Sequence, residues 1–333
     1  MTQTQTIILR RFSKTLCVLT AFLIFAGSMV TSTGSGLSVP DWPLSYGMLF
    51  PPMVGGIFYE HGHRMIAAVV GFCTLILASL LWRWEERKWV KMLGLFAVGT
   101  VILQGVLGGV TVLFYLPLAI SVSHAVLAQT FFVITIVIAY SQSLERFARK
   151  TSDDNYSPVF IKLVLVFALC VYLQLIFGAL MRHTKSGLAI PDFPAMGGMA
   201  WPTFDTIMLN RINSWRFDMD LPFVTMNQVM IHFSHRIWAL VIFLVDGVMT
   251  GYALKVYRHR QDIFRLAGML LILLLVQITL GAFTVLSGKL PAIASLHVVT
   301  GAVLLGMSVL LLLRVFPLSI TKILKPATVS AHV

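Results

Sequence analysis

Gly-Leu-Ser-Val-Pro-Asp-Trp-Pro (36–43) and Gly-Leu-Ala-Ile-Pro-Asp-Phe-Pro (187–194) are one segment written twice, 151 residues apart. Outward from them, other pairs keep the same order. Gly27 aligns with Gly178 at the same offset. His63-Arg64 aligns with His235-Arg236 at an offset of 172. Gln104-Gly-Val-Leu-Gly (104–108) aligns with Gln277-Ile-Thr-Leu-Gly (277–281), and His124 with His297, both at 173. The change from 151 to 172 puts 21 extra residues between the proline segment and the histidine of the second copy. Several blocks in one order make chance improbable, so the chain reads as an internal duplication.

Of its 333 residues, 58% are hydrophobic and 11% charged, and the mean hydropathy is +0.87. A soluble domain does not have this composition; a membrane bundle does. Eight apolar runs reach the roughly 20 residues needed to cross a bilayer, at about 15–33, 63–82, 92–114, 119–140, 160–181, 235–255, 264–286 and 293–315. Backbone groups in lipid must be satisfied within the segment, so the spans are helices. The expected fold is an all-α integral membrane protein with eight transmembrane helices. An even number of spans per copy inserts both copies the same way, so two tandem four-helix bundles should be related by a pseudo-twofold axis along the membrane normal. The expected division is 1–140, a cytoplasmic linker at 141–159 containing Asp153-Asp154-Asn155, and 160–333.

The net charge of +12 does not point to nucleic acid. Eighteen of the 25 Lys and Arg residues fall before span 1, between spans 2 and 3, 4 and 5, 6 and 7, or after span 8, including Lys150, Lys322 and Lys325. By the positive-inside rule both termini are cytoplasmic. Residues 1–31 have the look of a signal peptide, a basic start and an apolar core, but span 1 has a repeat partner in span 5, which argues for retention. The start is too short for a mitochondrial presequence, so a bacterial plasma (inner) membrane is expected. Cys17, Cys73 and Cys170 have no CxxC or CxxCH spacing and read as small packing residues.

His63, His124, His235 and His297 are polar rings in duplicated register, each near the outer start of an even-numbered span. Two imidazoles at equal depth on neighbouring helices suit the two axial positions of one haem iron. Zinc suits the pattern less, because no cysteine or carboxylate completes a tetrahedral set in the second half. Arg64 and Arg236 follow the first histidine of each pair; they read as partners of haem propionates or as interfacial anchors. Glu60 lies three residues before His63, and its repeat counterpart is His232. It is either a carboxylate doing chemistry in one copy only, or a helix-start acid favoured by the dipole. Asp41 and Asp192 belong to stiff proline segments that could close over each site, or they order their own turns. Gln104 and Gln277 suit interhelical hydrogen bonds. Asp246, in the middle of span 6, is a functional candidate or a structural hydrogen-bonding group. His61, His183, His259 and His332 have no repeat partner.

Taken together, Glu-x-x-His-Arg (Glu60, His63, Arg64), the other three histidines and the four-plus-four helix duplication resemble the haem A synthase family of the cytochrome-oxidase assembly pathway, over nearly the whole chain. The resemblance implies oxidation of the C8 methyl of haem o to a formyl group, giving haem a. It implies that His63 and His124 receive the substrate haem, that His235 and His297 bind a resident haem b, and that Glu60 is the catalytic carboxylate. Implied partners are the haem o-producing enzyme, cytochrome oxidase assembly factors, a quinone or haem-protein electron acceptor, and membrane lipid. The first outer loop, 32–62, lacks the cysteine pair found in some family members. The competing reading is a two-haem electron-transfer cytochrome without a substrate haem; a transporter is disfavoured by the parallel repeat.

Overall fold

The computed structural model describes residues 1–149 and 157–316. Lys150, Asp153-Asp154-Asn155, Lys322, Lys325 and His332 lie outside the described residues. Ten helices are present among those described: α1 (Gln3–Ser32), α2 (Gly55–Trp84), α3 (Lys88–Leu113), α4 (Leu118–Ser141), α5 (Leu144–Ala148), α6 (Pro158–His183), α7 (Thr206–Asp218), α8 (Met226–Val256), α9 (Gln261–Leu286) and α10 (Pro291–Val315). All except α5 and α7 are long and apolar enough to span a membrane. The protein is an all-α, multi-pass membrane protein.

The helices overrun the apolar runs at their ends. α1 starts at Gln3 rather than near 15, set by a capping box between Thr2 and Gln5. α8 starts at Met226 rather than near 235, set by a capping box between Thr225 and Gln228. α2 starts at Gly55 rather than near 63. Hydropathy marks the part of a helix that suits lipid, whereas caps and loop contacts decide where the helix begins. In consequence His63 lies eight residues and His235 nine residues inside their helices, about 12–14 Å along the axis at 1.5 Å per residue. His124 and His297 are each six residues in, about 9 Å. The histidines therefore lie about two to three turns inside their helices although they stand near the outer ends of the apolar runs.

Each half closes a ring of neighbours. α1 packs on α2, α2 on α3, α3 on α4 and α4 on α1; α6 packs on α8, α8 on α9, α9 on α10 and α10 on α6. The halves meet through α1 against α10, α4 against α6 and α4 against α10. One core centres on Leu16, Val70, Leu77, Phe131 and Ile138, the other on Phe160, Phe167, Met249, Leu270 and Leu311. Ile24, Phe132 and Ala302 form a smaller cluster between them. At this seam Gly306 of α10 faces Phe132 and Ile136 of α4, where a Cβ would collide with Ile136 Cδ1. The bare backbone allows the helices to approach this closely.

The segment after α4 is tied to the second half. Arg314 at the end of α10 donates to both carboxylate oxygens of Glu145, at 2.7 and 2.8 Å. Arg149 donates to the carbonyls of Leu313 and Phe316. At the same end of the bundle Glu85 is 3% exposed. It accepts from Arg87 Nε and Nη2 at 2.9 and 2.7 Å and from Gln142 Nε2 at 2.8 Å, joining the α2–α3 turn to the end of α4. Burial alone would raise its pKa; the Arg87 and Gln142 hydrogen bonds outweigh that and hold it at about 2, against an ordinary value of 4.5. A depressed carboxylate pKa adds stability above the unfolded value, and that stability is lost as pH falls toward the folded one. Glu85→Gln should therefore lower the thermal midpoint of the detergent-solubilised protein at pH 7, and the gap to wild type should close between pH 4.5 and 2. Thermal melts across that range test this, and a gap that does not change with pH would refute it.

Candidate functional site

The repeated proline segments fold into two loops of the same design. Asp41 accepts from the N–H groups of Tyr46 (Oδ1, 2.7 Å) and Gly47 (Oδ2, 2.8 Å). Asp192 accepts from Gly197 and Gly198 in the same way, both at 2.8 Å. In each loop the two donor residues have positive φ: 54° and 70° at Tyr46 and Gly47, 68° and 76° at Gly197 and Gly198. Successive residues in that region turn their N–H groups into a concavity that suits an anion. The Gly47 N–H, followed by that of Tyr46 and the Arg64 charge, holds the Asp41 carboxyl below the usual range. Both aspartates thus order their own turns.

An arginine from the helix below clamps each loop. Arg64 Nη1 donates to the carbonyls of Asp41 (2.7 Å) and Leu44 (2.9 Å), and Nη2 to that of Val39 (3.3 Å). Arg236 donates from Nη1 to Ala195 O (3.1 Å) and from Nη2 to Ile190 O (3.1 Å) and Asp192 O (2.7 Å). This visible role differs from the propionate contact expected from sequence, because most of each guanidinium is spent on loop carbonyls. Glu60 completes the first clamp. Its Oε1 accepts from Arg64 Nη2 at 2.7 Å, its Oε2 from Val39 N–H at 2.8 Å, and it is 4% exposed. His232 takes the same place in the second half: its Nε2 lies 3.1 Å from Arg236 Nε and its Nδ1 3.1 Å from the Ile190 nitrogen. A neutral imidazole, with a single lone pair, accepts from one of these two donors, where the Glu60 carboxylate accepts from both of its own. Glu60 and His232 differ in charge but occupy one structural role.

The four repeated histidines each lean on a glycine of the neighbouring helix. A Cβ at Gly27 would lie 2.8 Å from His63 Cε1, at Gly108 3.5 Å from His124 Cε1, at Gly178 3.4 Å from His235 Cε1 and at Gly281 3.0 Å from His297 Cε1. These are the glycines that the repeat pairs, Gly27 with Gly178 and Gly108 with Gly281. The His235 and His297 ring centres are 6.4 Å apart, with planes at 69°. His63 is within electrostatic range of His124 and Arg64. Gln104 Nε2 donates to His124 O at 2.9 Å, and Gln174 Nε2 to His235 O at 2.9 Å.

A family model for the COX15-CtaA cytochrome oxidase assembly proteins matches residues 54–309. The heme A synthase of Halalkalibacterium halodurans is 28% identical over 294 residues, 85% of this chain and 88% of that protein. The heme A synthase of Staphylococcus epidermidis is 28% identical over 311 residues, 89% of this chain and 93% of its own length. That of Lysinibacillus sphaericus is 26% identical over 300 residues, 86% and 88% respectively. The chain belongs to the haem A synthase family.

Membership of this family makes haem the group against which the histidine pairs are tested, and the residues fit it. Nδ1 of His63, His124 and His235 is buried without a partner among the described residues. His297 Nδ1 lies 3.1 Å from the Gln277 carbonyl, which leaves Nε2 as the ring's free lone pair. Every ring thus keeps a nitrogen that the protein does not use. The second pair's rings, 6.4 Å between centres, face one another across the helices closely enough for one iron to lie between them. No group of three or more His, Cys, Asp or Glu side chains is gathered for a metal among the described residues.

The family's two loops differ in what covers them here. The 21-residue insertion supplies α7, capped by Asp205, which accepts from Met208 N–H. Met208 and Ile212 of α7 pack with Ala189, Ile190, Val224 and Val229 in a small closed core. Arg216 donates to the Pro222 and Leu188 carbonyls. The first loop has no such cover, and Leu49 and Phe50 are 71% and 78% exposed. Asp246 is fully buried; its Oδ1 accepts weakly from Thr250 at 3.5 Å, and the described residues leave Oδ2 unpaired. His61, which had no repeat partner, lies 2.8 Å from Ser45 Oγ through Nδ1. Sequence reasoning missed the histidine–glycine contacts and α7. The duplicated glycines signalled the first; a polar 13-residue stretch in a long loop gave little sign of the second.

The Cβ distances predict a graded series. Gly27→Ala and Gly281→Ala should displace their rings and cut bound haem severely, whereas Gly108→Ala and Gly178→Ala, at ordinary contact distance, should be mild. The Soret absorbance per mole of purified protein measures this; equal losses across all four would contradict it.

Proposed function

We propose that this protein is a haem A synthase that oxidises the C8 methyl of haem o to a formyl group, with His63 and His124 taking the substrate haem and His235 and His297 a resident haem b. With water as the oxygen source, R–CH3 + H2O gives R–CHO + 4 H+ + 4 e−, so four electrons need a route out of the substrate to the expected quinone or haem-protein acceptor. A haem b held by the second pair would supply a one-electron carrier for that route. The proposed division is residues 1–140 for the substrate bundle and 160–333 for the resident-haem bundle, related by a pseudo-twofold axis.

One observation carries the split. The two halves share one loop clamp, but the first completes it with a carboxylate and the second with an imidazole. Glu60 is the group that would stabilise positive charge developing at the methyl carbon, or take its proton. Its present partners, Val39 N–H and Arg64, both involve the loop, so loop movement and carboxylate availability are coupled. The uncovered first loop suits a substrate that must enter and leave; the α7-covered second loop suits a cofactor that stays. Arg64 and Arg236 act mainly as loop clamps, and reach propionates only through donors the loops leave over.

The expected substrate source is a haem o-producing enzyme; cytochrome oxidase assembly factors and a quinone or haem-protein acceptor are the other expected partners. Most of the described basic residues, and the N-terminus, whose amine pairs with Glu86 at 3.1 Å, lie at one end of the bundle. We assign that end to the cytoplasm of a bacterium, with both haem sites toward the outer face of its inner membrane.

The structural equivalence of Glu60 and His232 is also what a two-haem electron-transfer cytochrome would have. Glu60→His separates the readings, because it imports the second half's clamp and removes only the carboxylate. In a host making haem o, both Glu60→His and Glu60→Gln should reduce haem a formation by about a hundredfold or more. Full activity in Glu60→His would sink the catalytic role. Replacing His235 or His297 with Ala should abolish the resident haem b spectrum, whereas His63→Ala or His124→Ala should impair turnover and leave that spectrum largely intact. Equal loss of haem b from all four would contradict the division.

A further inference from the structure

Arg182 is a cation whose partners do not account for it. It lies in the last turn of α6, four residues after Gly178, the glycine against which the His235 ring rests. On a helix that spacing puts it on the same face, about 6 Å further out. Its Nη2 donates across the seam between the halves to the Ser28 carbonyl and the Ser32 hydroxyl of α1. Ser32 is in turn bonded to Ser295, two residues before His297. Arg182 therefore stands outward of the Gly178–His235 contact, held directly by α1 and linked through Ser32 to Ser295 of α10. Its Nε is buried without a partner, and no ion pair includes Arg182 among the described residues.

Its surroundings add positive charge. Lys289 lies close enough that burial, then the charges of Arg182 and Lys185, holds its amine below the usual lysine range. His183 and His297 are also within electrostatic reach of Arg182. Leaving a buried guanidinium unpaired is costly, and the cost is recovered when an anion supplies the missing acceptors. In the first half the equivalent position, at the offset of 151, is Thr31, which bonds back to its own helix at Gly27 O.

We propose that Arg182, supported by Lys289, is the carboxylate-binding position of the second haem site, and that its replacement by Thr31 leaves the first site without one. This rests on the assignment of the resident haem to His235 and His297. It assigns to α6 the propionate contact that Arg236, engaged with three loop carbonyls and His232, is poorly free to make. It also gives a physical reason why one haem stays and the other exchanges: beyond what the loop arginines spare, a further charge-assisted pair holds only the second.

The test compares haem b with its dimethyl ester, which keeps the ring and iron but has no carboxylates. The full-length chain carrying His63→Ala and His124→Ala is purified in detergent from haem-depleted cells and titrated with each. With Arg182 present, haem b should bind at least about tenfold more tightly than the ester. With Arg182→Gln that preference should vanish while ester affinity is unchanged, which also shows that the variant is folded. Arg182→Lys should keep part of the preference. A preference that survives Arg182→Gln, or none in the presence of Arg182, overturns the proposal. If the double-histidine variant takes up neither compound, the assignment of the resident haem to the second pair fails first, and the proposal falls with it.

Discussion

An arginine reaching up from a helix to the carbonyls of a proline loop is the contact on which both sites depend. Arg64 and Arg236 each gather carbonyls from a loop that has no regular structure and would otherwise leave those acceptors over the end of a membrane bundle. Each arginine lies against the residue four positions earlier on its own helix, Glu60 or His232, which also meets a loop N–H. The clamp occupies one turn of one helix face, and the neighbouring residue, His63 or His235, is thereby fixed in depth beneath the loop. Loop, clamp and histidine are one unit, repeated.

The same unit yields different properties because its surroundings differ. In the first half the clamp is an ion pair and the loop faces outward with apolar side chains exposed. In the second an imidazole stands in the carboxylate's place four residues before the arginine, and α7 packs over the loop. The repeat supplied a site twice; three departures from it, Glu60 against His232, Thr31 against Arg182 and the insertion carrying α7, are where the halves become distinct.

The sequence showed a good deal of this. Hydropathy located all eight spans, and the repeat located the four histidines and the glycines beside them. It did not locate the helix starts, because Thr2 and Thr225 cap helices well outside the apolar runs. The propionate role read for Arg64 and Arg236 came from their place beside histidines. The structure adds loop carbonyls as their acceptors, some 20 to 46 residues away in sequence, which no local pattern reveals. Glu60 looked unique by residue type, yet its hydrogen bonds have a counterpart in those of His232.

The sequence by itself determined the membrane class, the number of spans, the duplication and the identity of the ligand candidates, because composition, periodicity and repeated order are properties of the chain read in line. The tertiary structure decided which glycine receives which imidazole, that His232 can stand in for Glu60, and that Arg182 meets α1 near His297. Those depend on which helices become neighbours and at what depth, and packing between distant segments sets both.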